Sequence, residues 1–349
     1  MVSKADIKPW LRPGAGSFIL HNATVVDVAN GVTRDAQTVC IENGRITSIS
    51  KSEPSILSSR PGTNVIDCTG LYLCPGLIDS HVHLIAVPGF NELSQAFGNP
   101  ESVSLLRQPY VCAQMLHRGF TTVRDCGGAH AAIKEAIEDG VFPGPRLFIA
   151  GHALSQSGGH ADFRNKHDHS ACCGGATTGL GRVCNGIPQC MQAVREEIRS
   201  GSDFIKIMGS GGVSSPTDKI DHLQFTGDEI KAMVQCAKNA GTYVTAHAYT
   251  PEAIQHCIEN GCKGIEHGNF LNEELAALMV KNDVFLTPTL ITYDQMASSK
   301  WQGYLPPESQ SKNTEVLDAG LRALGIATKA GIDMLRDRPP GTPRCRSDS

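Results

Sequence analysis

The sequence predicts an α/β protein: a (β/α)8 barrel of the TIM type, preceded by a small β-domain. Three observations carry that prediction. From Leu71 onward, short apolar runs alternate with amphipathic stretches through seven successive units. Repeated βα units build a parallel sheet with helices outside it. Each apolar run also ends in polar residues, as barrel strands do at the face where their loops gather. Finally, no strand–GxGxxG–helix turn occurs, which argues against an open dinucleotide-binding sheet.

The elements follow in order. Residues 1–70 read as the N-terminal half of a β-domain. "FILHNATVVDV" and "AQTVCIENGRITSIS" are strand-like, with a turn at Asn30-Gly31 and a hairpin turn at Asn43-Gly44. A Ser/Pro-rich link, "SKSEPSILSSRPG", leads to another short strand at Asn64–Asp67. Residues 71–349 are assigned to the barrel and an aberrant or truncated tail. The strand runs are "LCPGLIDSH", "FTTVRDCGG", "RLFIAGH", "DFIKIMGSGG", "TYVTAHAY", "GIEHGNF" and "VFLTPTL". Helical patterns lie between them, such as "SLLRQPYVCAQMLHRG", "GDEIKAMVQCAKNAG", "TPEAIQHCIENG" and "NEELAALMVKND". The longest irregular segment, Ser155 to Pro188, follows the third strand. It is expected to hang over the barrel mouth as a lid.

Composition narrows the function. The chain has 349 residues, 40% of them hydrophobic, which supports a sizeable core. The formal charge of −4 comes without a basic or acidic block, so neither nucleic acid nor an anionic membrane is an expected partner. The first residues carry no apolar leader segment, and no run is long enough to cross a bilayer; a cytoplasmic protein is expected. Thirteen cysteines, an odd number with no CxxC pair, read as reduced and mostly buried thiols.

The strand ends carry the candidate chemistry. His81 and His83 stand two apart in "IDSHVHL" and therefore face the same way, toward the barrel interior. Two inward imidazoles are costly without a partner, and a shared divalent metal supplies one. "FIKIMGSGG" places Lys206 in an apolar run, where a buried ammonium needs a depressed pKa or a special partner. "VTAHAYT" ends in His247 and "GIEHGNF" in His267. Each histidine alone reads as a core residue with one hydrogen bond. Four histidines and one lysine on four strand ends are hard to treat as independent accidents.

These motifs resemble the amidohydrolase superfamily, in its binuclear, carboxylated-lysine branch. "GHALSQSGGHAD", "KIMGSGGVSS" and "GIEHGNF" are similar to the subgroup of ochratoxinase and the Xaa-Pro and Xaa-Arg dipeptidases. The resemblance runs from about Phe18 to Leu290. It implies two divalent metal ions, with zinc the default: His81 and His83 on the first, His247 and His267 on the second. Lys206, carboxylated by carbon dioxide, would bridge the two ions as a carbamate. Two such ions about 3.5–4 Å apart activate a water as hydroxide and polarise a carbonyl. The implied activity is hydrolysis of C–N amide bonds in a small substrate, an N-acyl amino acid or a dipeptide; a homo-oligomer is compatible. His160 in "SGGHAD" is the candidate catalytic and substrate-binding residue, set against a plain surface-loop histidine. Tyr249 is a second substrate-binding candidate. Gly209 to Val213, "GSGGV", reads as an anion nest or a plain flexible turn.

The tail departs from the family pattern. Members carry an aspartate at the end of strand eight, in an apolar strand followed by Gly-Thr-Asp. Here "IDML" is followed by "RDRPPGTPRCRSDS", with prolines where a buried strand belongs. Asp337 has the strand parity of the expected acid but falls one pleat early. A catalytically impaired metal-binding protein, or a C-terminally truncated product, is therefore the alternative expectation.

Overall fold

A computed structural model describes residues 4–11, 16–51, 63–92, 95, 99–164, 167, 177–215 and 218–334. The chain divides into two compact units, residues 1–77 with 139–141, and residues 78–138 with 142–349.

In the first unit, β1 (Phe18–Asp27) and β2 (Val32–Glu42) pair antiparallel, and β3 (Arg45–Lys51) adds to β2. Asn43 and Gly44 have φ of 50° and 74°. Two successive positive φ values make the tight turn whose twist matches the flanking strands, so the predicted hairpin forms there. β4 (Asn64–Asp67) and β5 (Tyr72–Leu73) lie parallel to β1. Ile19, Ala23, Val39 and Cys40 are buried in this unit.

The second unit holds the predicted barrel strands. β6 (Leu77–Val82), β7 (Phe120–Asp125) and β8 (Arg146–Ile149) form one sheet, with β7 and β8 parallel. The chain then bends at Gly151, φ 69°, and continues as β9 (Ala153–Ser155). β9 pairs parallel with β12 (Ile205–Met208), followed by β13 (Val244–Ala248), β14 (Gly264–His267) and β15 (Phe285–Thr287), all parallel. Strand three is thus split between the two sheets. Past β15, Leu286 bridges Met334 in parallel and donates its N–H to the Asp333 carbonyl at 3.0 Å, where strand eight was expected to begin. Asp337 and the rest of the tail lie outside the described residues.

The helices fall between the strands, as the periodicity requires. They are α1 (Glu101–His117), α2 (Ala131–Glu138), α3 (Gly186–Arg199), α4 (Gly227–Asn239), α5 (Pro251–Glu259) and α6 (Glu273–Lys281). Their starts are written locally. Thr226 and Glu229 form a reciprocal capping box on α4, Thr250 caps α5 ahead of Pro251, and Asn272 caps α6. The largest core packs α3–α6 onto β12–β15 through residues such as Ile207, Met233, Ile254, Ile265 and Leu286. Two further helices, α7 (Leu290–Ala297) and α8 (Pro307–Ala330), pack on each other; Tyr293, Leu305 and Val316 cluster there with Val213 and Tyr249.

Two expectations need correction. Ser155–Pro188 is not irregular throughout. β10 (Thr177–Thr178) and β11 (Gly181–Val183) form a hairpin within it, and β11 extends the sheet beside β9. Residues 165–166 and 168–176 of that segment lie outside the described residues. The second correction concerns "GSGGV". The N–H groups of Gly209 and Ser210 donate to the His247 carbonyl, and that of Gly211 to the His222 carbonyl. These amides are spent on protein acceptors, so the stretch is neither an open anion nest nor a free turn. Ten cysteines are described, all free, nine of them buried and Cys74 exposed. Among the described residues, no helix is long and apolar enough to cross a membrane.

Candidate metal centre

His81 ends β6 with Val82, and His83 is the first residue beyond it; their rings lie 5.1 Å apart at 87°. Lys206 is the second residue of β12, His247 the fourth of β13, and His267 the last of β14. Parallel pairing sets His267 beside Ala248, the residue after His247, and Lys206 beside Thr245, two residues before it. The His81 and His267 rings are 4.8 Å apart and those of His247 and His267 4.5 Å. All five groups line one cavity of about 320 Å³, together with His160 and Tyr249. His267 has φ 74°, a left-handed backbone that a non-glycine residue adopts at a cost of about 1–3 kcal/mol. Such strain persists where the surroundings hold the side chain to a task, and Gly268 follows it at φ 60°.

Hydrogen bonds decide which ring nitrogen faces the cavity. The Nδ1 of His81 is 2.8 Å from Glu266 Oε2, and that of His83 is 3.0 Å from the Gly127 carbonyl. The Nδ1 of His267 is 2.6 Å from Thr289 Oγ1 and 2.9 Å from the Tyr293 hydroxyl. These three rings keep Nε2 for a ligand. His247 is reversed: its Nε2 is 3.2 Å from the Gly211 carbonyl, which leaves Nδ1. Anchoring one nitrogen to orient the other is the usual arrangement behind metal-bound histidine.

The electrostatics agree. Burial lowers the pKa of His81 and takes His83 down to about 3, with His81 adding to the latter. Burial, then His160 and His267, hold His247 well below the usual imidazole range; burial, then His81, does the same for His267. All four imidazoles are neutral near pH 7 and offer lone pairs. Burial also lowers the Lys206 pKa, against the pull of Glu266. A neutral amine in this cavity is the form that takes up carbon dioxide. The donor set therefore fits two divalent ions: neutral imidazole nitrogens from both sides and one lysine able to become an anionic carbamate.

His160 is 7% exposed, so it is not a surface-loop residue. Its ring stacks on His247 at 4.3 Å, 27° from parallel. Its Nδ1 is 2.7 Å from Ser215 Oγ, which in turn donates to Asp218, and its backbone N–H donates to Gln224. Gln224 closes the ring by donating to Asp218 at 3.0 Å. The Tyr249 and Tyr293 hydroxyls are 2.7 Å apart. Sequence reasoning gave no role to Tyr293, Thr289, Ser215 and Asp218, although Thr289 lies in the run "VFLTPTL" and Ser215 ends the motif "KIMGSGGVSS". It also passed over Arg124 and Glu266, both essentially inaccessible. Those two carried a readable signal, a charge inside an apolar run, the same one that marked Lys206.

A barrel of parallel strands whose ends gather four histidines and a lysine defines a class, and comparison supplies it. The amidohydrolase family matches residues 72–335, and the chain belongs to that family. Relatives include ochratoxinase and prolidase-type proteins. Ochratoxinase of Aspergillus niger is 32% identical over 283 residues, covering 78% of this chain and 59% of that protein. A prolidase solved with N-methylphosphonate-L-proline is 40% identical, with a TM-score of 0.83 over 91% of this chain and 77% of that one. A Xaa-Pro dipeptidase with bound methionine is 28% identical, with a TM-score of 0.79 over 91% and 78% of the two chains. The chain thus spans about 59% of the length of the curated relatives it matches.

Proposed function

We propose that this protein hydrolyses amide bonds in small N-acyl amino acids or dipeptides, with two divalent ions at the barrel mouth. The observation that carries the proposal is the convergence of His81, His83, Lys206, His247 and His267 on one 320 Å³ cavity. His81 and His83 would hold one ion, His247 and His267 the other, and carboxylated Lys206 would join both. Ions held there supply Lewis-acid polarisation of a carbonyl and an acidified water. The chain's own residues do the rest. His160, stacked over His247, presents its remaining edge to the cavity as a substrate contact. Burial raises the pKa of Tyr249 and Tyr293, so both stay protonated at neutral pH; one hydroxyl donates to the other, and the pair keeps a single O–H for a further acceptor. Leu180, Met208, Val213 and Met296 give the cavity an apolar wall, suited to an apolar side chain beside the scissile bond and to excluding water. The ligands of the two dipeptidase-type relatives, a proline phosphonate and methionine, support a compact apolar residue.

The test combines metal analysis with a substrate panel. Two zinc-class ions per chain are expected, with retention that depends on bicarbonate. Turnover is expected on Xaa-Pro and other dipeptides or N-acyl amino acids. Turnover confined to lactones or phosphoesters rejects the reading, as does a metal-free protein. Two bound ions without turnover on any amide would instead leave the metal-binding, non-catalytic alternative.

A further inference from the structure

The interior of a barrel is normally filled by branched apolar side chains, yet among the five candidate ligands this one carries a buried ionic crossbar. Four strands contribute to it: the Ser80 carbonyl from β6, Arg124 from β7, Thr245 from β13 and Glu266 from β14. We propose that Arg124 and Glu266 are positioning residues that preset His81 as an Nε2 metal donor, and that occupancy of the first metal position depends on them. The inference rests on the metal reading of the site.

The geometry fixes the proton. Glu266 Oε1 accepts from Arg124 Nη2 at 2.8 Å and from Thr245 Oγ1 at 2.6 Å. Its other oxygen, Oε2, meets His81 Nδ1 at 2.8 Å. A carboxylate paired with a guanidinium only accepts, so the hydrogen on that contact belongs to Nδ1. The neutral ring then carries its lone pair on Nε2, the nitrogen left for the cavity.

Arg124 makes the arrangement a two-point clamp. Its Nη1 donates to the carbonyl of Ser80, the residue before His81, at 2.9 Å. One guanidinium therefore holds the backbone beside His81 directly and the His81 ring through Glu266. The fork is itself fixed, lying 4.3 Å from the Phe204 ring centroid and 5.3 Å from that of Phe285. A lysine has a single nitrogen and cannot span both contacts. Cys126 offers a sulfur within 4.8 Å of the His81 and Glu266 donor atoms, but it donates to the Ser80 carbonyl at 3.8 Å, and both Glu266 oxygens are already engaged. That trio therefore supports the metal position from behind.

Two measurements test the clamp. In metal-free wild type labelled with ¹⁵N-histidine, long-range proton–nitrogen correlation should show His81 as the Nδ1–H tautomer, its signal assigned by its loss in His81→Asn. Zinc titration against a chelating indicator should show one of two ions bound ~10–100-fold more weakly in Glu266→Leu and in Arg124→Lys. Glu266→Gln, which keeps an acceptor for Nδ1, should recover part of that loss. Glu266→Leu strands the Arg124 charge and is prone to unfold, so Arg124→Met/Glu266→Leu, which removes both charges, repeats the titration in an apolar setting. Wild-type affinity for both ions in Arg124→Lys or in the double variant overturns the proposal. So does an Nε2–H tautomer at His81 in wild type. A wild type that binds no metal defeats the functional reading instead, and the tautomer measurement then judges the clamp alone.

Discussion

His267 closes β14 in a left-handed backbone, its ring held through Nδ1 by Thr289 and Tyr293. A histidine closing the apolar run "GIEH" reads on its own as a core residue; the recurrence of such groups at four strand ends picked it out along with His81, His83, Lys206 and His247. The same argument applies to Glu266, its neighbour, and to Arg124 in "FTTVRD". The task proposed for them is to hold a ligand and not to be one, and no spacing rule separates the two roles. Which nitrogen each ring offers was beyond sequence altogether, because it depends on partners as distant as Gly127 for His83 and Thr289 for His267. The residue-scale prediction is that His247→Ala loses one of two bound ions, while His81 and His83 retain the other. Elemental analysis of both proteins checks it, and equal stoichiometry would count against the assignment. A second prediction concerns His160→Asn. It should raise KM more than it lowers kcat, because His160 is assigned to hold substrate; the reverse pattern would move it into the chemistry itself.

Two loops set the site at the scale of elements. "GSGGV" follows β12, and its backbone is stitched to His247 and His222. A Cβ at Gly212 would land on the His160 ring. Gly212→Ala should therefore displace His160 and weaken substrate binding roughly as His160→Asn does, with metal content unchanged. Kinetics beside metal analysis checks this, and a wild-type KM would show that the ring has room to move. The bend in strand three is a second such point. Gly151 has φ 69°, and a Cβ there would meet the Glu197 and Ser202 side chains. Gly151→Ala should cost about 1–3 kcal/mol, read as a lower urea midpoint with unchanged slope. Periodicity located the strands and helices because each is a local pattern of apolar residues. It could not show that one run would break into β8 and β9 and serve two sheets, since pairing partners decide that. Nor did it show the β10–β11 hairpin inside the predicted lid, whose strands are two and three residues long.

The pH dependence belongs to the whole molecule. In the metal-free fold His83 titrates at about 3, and His81, His247 and His267 are also lowered, in each case by burial first. The unfolded chain, with imidazoles near 6.5, takes up protons before the folded one does. Stability from these groups is therefore fully present above about 6.5 and is lost as pH falls, at up to about 1.4 kcal/mol per pH unit for each imidazole kept neutral. Asp125 acts in the opposite direction. Burial pushes its carboxyl up to about 7 against three backbone N–H donors, so its contribution favours the fold below about 4 and fades as pH rises through 7. Four imidazoles outweigh one carboxyl, and the Tm of the metal-free protein should drop between pH 7 and pH 5. Calorimetry with chelator present checks the sign; a flat or rising Tm over that interval would mean the histidines are not buried in neutral form.

The order of the elements, the hairpin at Asn43-Gly44, the family and the five groups at the strand ends are all readable from the amino acids alone. Each of these is written in local pattern: period, turn chemistry, or a polar residue where an apolar one belongs. The rest depends on packing in three dimensions. Packing splits strand three between two sheets, closes the Gly209–Gly211 amides onto neighbouring carbonyls, stacks His160 on His247 and joins Arg124 and Glu266 to Ser80 and His81. These are contacts between residues up to 185 positions apart in the chain. Their partners are chosen by packing and by the need to satisfy every buried charge, and a linear pattern carries no record of that choice.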